Sequence, residues 1–189
     1  MNLEKVLSQK SSSIQKKWVD QTLETYPADT QRFIKAQKDQ FANPVGFSLS
    51  EGIGALFEAI LKGTESEKVA PILDGIIRIR SVQEFSPSQA VGFIFLLKKI
   101  LRTELKTEIR ENQLYDDLHE LENRIDDLAL IAFDIFIMCR EKIYEIRARE
   151  AKNQVSRLLL KKGLIAEIPE WKPKESNNHH LQVIPNETR

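Results

Sequence analysis

The side chains able to do chemistry are few. Arg78 and Arg80 flank Ile79 at the end of a helical stretch, next to the Ser81–Ser86 turn. Cations there suit the negative end of a helix dipole. They also suit an anionic ligand or an acidic partner patch, because a guanidinium pairs with carboxylates and phosphates through paired hydrogen bonds. Trp18 and Tyr26, with the Asn43–Phe47 turn, form a second candidate, two amphipathic rings able to line a pocket, with core packing the alternative use of Trp18. Trp171 stands in a proline-bearing polar stretch and reads as a residue that docks on the domain or on a partner. Trp18, Tyr26, Asn43, Arg78, Arg80 and Trp171 are thus the ligand- or partner-binding candidates.

No constellation converges on a reacting atom, so no catalytic residue is assigned and no enzyme is expected. Asp116/Asp117 and Asp126/Asp127 are adjacent pairs on a helix, where neighbours diverge by about 100° and do not share a proton. His119 lies beside the apolar row of its helix, which reads as a surface histidine rather than a haem ligand. Gly52-x-Gly54 lacks the third glycine and the preceding strand of a dinucleotide fingerprint. The single cysteine, Cys139, excludes an intrachain disulfide and a multi-cysteine metal site, and its place in an apolar row reads as a small buried hydrophobe. No metal or cofactor is called for.

The elements that must position these residues are helical throughout. The chain has 189 residues, 41% of them hydrophobic, enough for one helical domain with a core. With 28 basic and 28 acidic side chains it lacks the strong positive charge of a dedicated nucleic-acid binder. The N-terminus is polar and the longest apolar runs are short, so the expectation is a cytoplasmic protein with no membrane insertion. Apolar spacing predicts one amphipathic helix, or a broken pair, over Leu3–Tyr26, stopped by Pro27, and a short second helix over Asp29–Phe41 with Phe33, Ile34 and Phe41 as its apolar positions. After the Asn43–Gly46 turn, Ser48 and Glu51 predict a capping box for a third helix that ends at Gly63 in a left-handed cap. Gly52 and Gly54 weaken that helix and suit a close helix–helix approach. A fourth helix is expected over Val69–Val82, with Pro71 tolerable only in its first turn. Ser86-Pro87-Ser88-Gln89 caps a fifth, apolar nearly all round at its start and therefore placed at the centre of the core.

From Leu114 the pattern is heptad-like. Leu114, Leu121, Leu128 and Ile135 form one row; Leu118, Ile125, Ala132, Cys139 and Ile146 form the interleaved one. A long C-terminal helix reaching Leu160 is expected, as the last helix of a bundle or a dimer seam. Seven acids and one base lie between Glu111 and Asp127, against eight bases and three acids between Arg140 and Lys162. That order suits the helix dipole and makes an antiparallel homodimer attractive. The expected organisation is one helical domain over 1–162 and a flexible tail over 163–189.

Two segments carry a family resemblance. Trp18, Tyr26-Pro27 and Asp39-x-Phe41-Ala42-Asn43-Pro44-Val45-Gly46 form the first; Arg78-Ile79-Arg80-Ser81-Val82-Gln83-Glu84-Phe85-Ser86-Pro87-Ser88-Gln89-Ala90 with Leu97-Lys98 form the second. Together, over about Ile14–Ile146, they resemble the N-terminal domain of RsbRD-type stressosome co-antagonists. The resemblance implies a non-enzymatic helical sensory or regulatory domain, globin-like, dimeric and without haem, acting through protein partners. It differs from that arrangement in that no STAS, kinase or helix-turn-helix segment follows the long helix, so a stand-alone sensor or adaptor is expected. Two alternatives are a globin-like protein that binds a small molecule or haem, and a structural accessory subunit of a respiratory or signalling complex.

Overall fold

The computed structural model describes residues 2–162 apart from 37, 38, 40 and 84. Among them are seven helices and no strand: α1 Leu3–Leu23, α2 Ala28–Ala36, α3 Pro44–Leu61, α4 Ser66–Ser81, α5 Pro87–Glu104, α6 Lys106–Asn112 and α7 Tyr115–Lys161. The all-α fold with a long C-terminal helix is therefore as expected. The chain divides into two compact units, Met1–Arg147 and Ala148–Arg189. The first holds α1–α6 and the larger part of α7. In the second, the described residues are helical to Lys161 and expose Val155, Leu158 and Leu160.

Within the first unit, α1 packs on α3 and α5, and α3 packs on α4. Trp18 of α1 joins these layers. It is fully buried, lies edge-on to Phe57 of α3 and stacks on Phe93 of α5, with centroids 6.5 and 6.2 Å away. Its indole N–H donates to the Phe93 carbonyl at 2.7 Å, the partner a buried indole requires. Gly52 does allow a close approach: a Cβ there would lie 2.7 Å from Ile76 Cγ1 of α4. Among the described residues one helix, α3, is long and apolar enough by length and composition to cross a membrane, with 18 residues and mean hydropathy 1.2. Leu49, Ile53 and Leu56 on it are fully buried in the core, the other use of such a helix.

Local chemistry explains where the predicted boundaries moved. α3 starts at Pro44, not Ser48, because Asn43 Oδ1 accepts from the Gly46 N–H at 2.9 Å and proline occupies the first turn. A Cβ on Gly46 would lie 2.6 Å from Ile34 Cγ2 and against the Asn43 amide, so this cap needs glycine. α2 ends at Ala36; Asp39 Oδ1 accepts from the Phe41 and Ala42 N–H groups, and Phe41 lies exposed in that turn. Of its predicted apolar set only Ile34 is buried. α1 stops at Leu23 rather than Tyr26. α4 begins at Ser66, which places Pro71 inside the helix beyond its first turn. The predicted capping box of Ser86 and Gln89 is present on α5, and Gly63 takes the left-handed cap with φ 59°. α6 was not legible; Leu105 breaks the helix, and Gln113 at φ 55° ends the short segment that follows.

α7 is buried along both heptad rows from Leu118 to Phe136. Cys139 is half-buried, and Ile146 is exposed. Ion pairs fasten it to α5: Arg102 Nε and Nη2 donate to the two oxygens of Glu122 at 2.5 and 2.6 Å, and Lys98 meets Asp126 at 2.9 Å. Glu122 is buried while Arg102 is mostly exposed. Hydrogen bonding to Arg102 holds the Glu122 carboxyl below its ordinary value, with burial opposing; Lys17 and Lys10 do the same for Glu104 and Glu108. A carboxyl lowered in the folded state stabilises at neutral pH, and that contribution disappears as pH falls through the folded value. Thermal midpoints should therefore fall once pH drops below about 4, under the ordinary glutamate value. Glu122→Gln should lower the midpoint at neutral pH and flatten part of the acid fall, read by circular dichroism melts across pH.

Candidate functional site

Arg80 is the unusual residue of the fold. It lies on the stripe Val69, Leu73, Ile76, Ile77, Arg80, the buried face of α4, and is itself 0% exposed. Its Nε donates to the Ala90 carbonyl, and its Nη2 donates to the Gln89 carbonyl and to Thr25 Oγ1, each at 3.0 Å. These bonds join the end of α4 to the first turn of α5 and to the turn after α1. All three acceptors are neutral. No ion pair with a carboxylate involves Arg80 among the described residues.

Three aromatic rings surround the guanidinium. Its Cζ lies 4.4 Å from the Phe85 centroid, 5.1 Å from Tyr26 and 5.4 Å from Phe93. Phe85 and Tyr26 meet edge to face at 5.0 Å. Ring faces attract a cation, by about 0.5–2 kcal/mol each when desolvated. That offsets part of the several kcal/mol that burying a charge costs. Burial still lowers the Arg80 pKa, with Tyr26 opposing, but a guanidinium remains charged in water's working range.

Three buried polar atoms in this cluster lack a hydrogen-bond partner: Arg80 Nη1, Tyr26 Oη and Gln83 Oε1. The Tyr26 hydroxyl is under the influence of both others. Burial raises its pKa, and the Arg80 charge together with hydrogen-bonding groups of Arg80 and Gln83 pulls it back. Tyr26 and Gln83, with Pro27, Thr30 and Phe85, also line a cavity of about 330 Å³.

Of the predicted residues, the structure brings Tyr26 and Arg80 together. Trp18 reaches Arg80 only through Phe93, which its indole stacks on, and is otherwise core. Asn43 serves the backbone: beyond capping α3, its Nδ2 donates to the Ile34 carbonyl at 2.9 Å. Arg78 is exposed and paired with Asp74 one turn earlier at 2.5 Å, the arrangement expected of a solvated helix end. Trp171 and the 163–189 tail lie outside the described residues. His119 is exposed. Thr25, Gln83 and Phe85 were not singled out. The available signal was the i, i+4, i+7, i+8, i+11 spacing that carries Arg80 on the same face as Val69, Leu73, Ile76 and Ile77.

A family model described as the RsbT co-antagonist protein rsbRD N-terminal domain matches residues 12–151. An uncharacterized protein of Archaeoglobus fulgidus is 24% identical over 138 residues, which cover 70% of this chain and 79% of the relative. No solved structure matches the chain.

Proposed function

This chain belongs to the family of RsbRD N-terminal domains, and on that premise we propose that it is a regulatory, non-enzymatic sensor domain of the stressosome co-antagonist type that passes its state on by protein–protein contact. The observation that carries the reading is the surface of α7. Leu130, Phe133, Ile137 and Tyr144 recur at helical spacing on one face. Leu130, Phe133 and Tyr144 are 67%, 43% and 54% exposed. Large apolar side chains left in water along one helix face favour association. The reading takes a second copy of the chain as the first partner, because acids early and bases late along this helix attract in an antiparallel pair. A signal acts through such a surface only if it binds one packing of the domain better than another.

The experiment is light scattering of the full chain over a range of concentrations. The expected result is a dimer for the native protein and a monomer for Leu130→Glu/Phe133→Glu, with helical content unchanged by circular dichroism. A native protein that stays monomeric throughout, or a double variant that still dimerises, overturns the α7 assignment.

A further inference from the structure

We propose that the Arg80–Tyr26–Gln83 cluster binds a small organic carboxylate with an apolar body. The inference does not rest on the α7 reading, and its test uses the isolated full chain, so either can fail alone.

Charge is the first argument. Arg80 is fully buried, donates to neutral acceptors only, and keeps Nη1 without a partner. A desolvated cation with no counter-charge among the described residues is attractive to an anion, because the burial cost has already been met by the fold. Donor count is the second. Arg80 Nη1 and the Tyr26 hydroxyl are two donors in one cluster that make no hydrogen bond of normal length, although they act on one another and on Gln83, and a carboxylate offers two oxygens, one for each. A phosphate dianion matches less well, since among the described residues one guanidinium is the only cation in the cluster and Gln83 presents an acceptor. Gln83 Oε1 instead suits a hydroxyl donor on the ligand. The walls are the third argument. Phe85, Pro27 and the Tyr26 ring line the cavity, with Thr30 beside them, so the body of the ligand is apolar. A volume of about 330 Å³ lies at the small end of ligand pockets.

Arg80 is not among the residues that line the cavity, and the three polar atoms are buried, so a ligand reaches them only when a lining side chain moves. Gln83, part-exposed and unpartnered at its oxygen, is the side chain that turns aside on entry. A larger cavity of about 370 Å³, beside Leu3, Leu7, Ile60, Asp117, Glu120 and Arg124, offers no such match, because its guanidinium already pairs with Glu120.

The probes are phenylacetate, its neutral isostere phenylacetamide, mandelate, which adds a hydroxyl beside the carboxylate, and inorganic phosphate. Each is titrated into the full chain at constant ionic strength, with thermal midpoints and amide and Arg Nε–Hε NMR shifts as readouts. The expected result is a saturable response to phenylacetate, tighter with mandelate, with shifts centred on residues 25–30 and 80–90. Phenylacetamide and phosphate give neither. Tyr26→Phe should weaken phenylacetate about tenfold, the size of one lost hydrogen bond to a charged group. The unliganded variant should keep the helical content of the native protein by circular dichroism, which separates loss of binding from loss of fold. No saturable response to either carboxylate, an equal response to phenylacetamide, a response to phosphate alone, or unchanged affinity in Tyr26→Phe overturns the proposal.

Discussion

Arg80→Met is expected to unfold in urea at a free energy within about 1 kcal/mol of the native protein, while Arg80→Ala loses about 3 kcal/mol. The two variants divide the residue into its stem and its charge. Methionine keeps most of the apolar length that packs between Phe85, Tyr26 and Phe93 and removes a desolvated cation that no carboxylate among the described residues balances. The acceptors it abandons are not stranded. Thr25 is exposed and its hydroxyl still donates to the Thr22 carbonyl. The Gln89 residue is exposed to water, and the Ala90 carbonyl lies within α5, where a helical N–H four residues on reaches it. Alanine, by contrast, opens a hole at the junction of α4, α5 and the turn after α1. A loss of more than about 2 kcal/mol in Arg80→Met would show that the charge itself holds the fold together. A stability equal to the native protein places the value of that charge in binding, where the carboxylate titration reads it directly.

What was legible follows from the range of the interactions. The start of α5 could be read because Ser86, Pro87 and Gln89 carry their whole cap within four residues. The α7 heptads could be read because period alone places Leu114, Leu121, Leu128 and Ile135 on one buried line. The start of α3 was misread because Asn43, Pro44 and Gly46 signal a turn and a helix cap with the same residues, and only the Ile34 contact selects between them. At the end of α4, residue polarity pointed the wrong way. Val82, the apolar residue that closes the predicted fourth helix, is 72% exposed, while Arg80, whose charge suits a solvated helix end or an anion, is 0% exposed. Its partners decide this, and Thr25 stands 55 positions away in the chain. Gln83 and Phe85 lie inside a segment that identified the family, yet their chemistry exists only once Tyr26 is folded against them.

Trp18→Ala should be the most destabilising single change in the domain, at about 3–5 kcal/mol, because a fully buried indole joins three helices. Trp18→Phe is the more informative variant. It keeps a ring against Phe57 and Phe93 but gives up the indole hydrogen bond to the Phe93 carbonyl at 2.7 Å and part of the buried volume, and should lower stability by about 1–3 kcal/mol. Phe93 stands between Trp18 and Arg80, stacked on one and facing the other at 5.4 Å. Loosening it from the Trp18 side should therefore be felt at the guanidinium. A double-mutant cycle of Trp18→Phe with Arg80→Met, read by urea unfolding, is expected to depart from additivity by about 0.5–1 kcal/mol, as residues sharing one packed neighbour do. Strict additivity would mean that Phe93 is held by α5 alone and that the core and the carboxylate site are energetically separate. Coupling of the expected size would give the site a physical route into the α1–α3–α5 core, so that a ligand seated on Arg80 changes how firmly those helices pack.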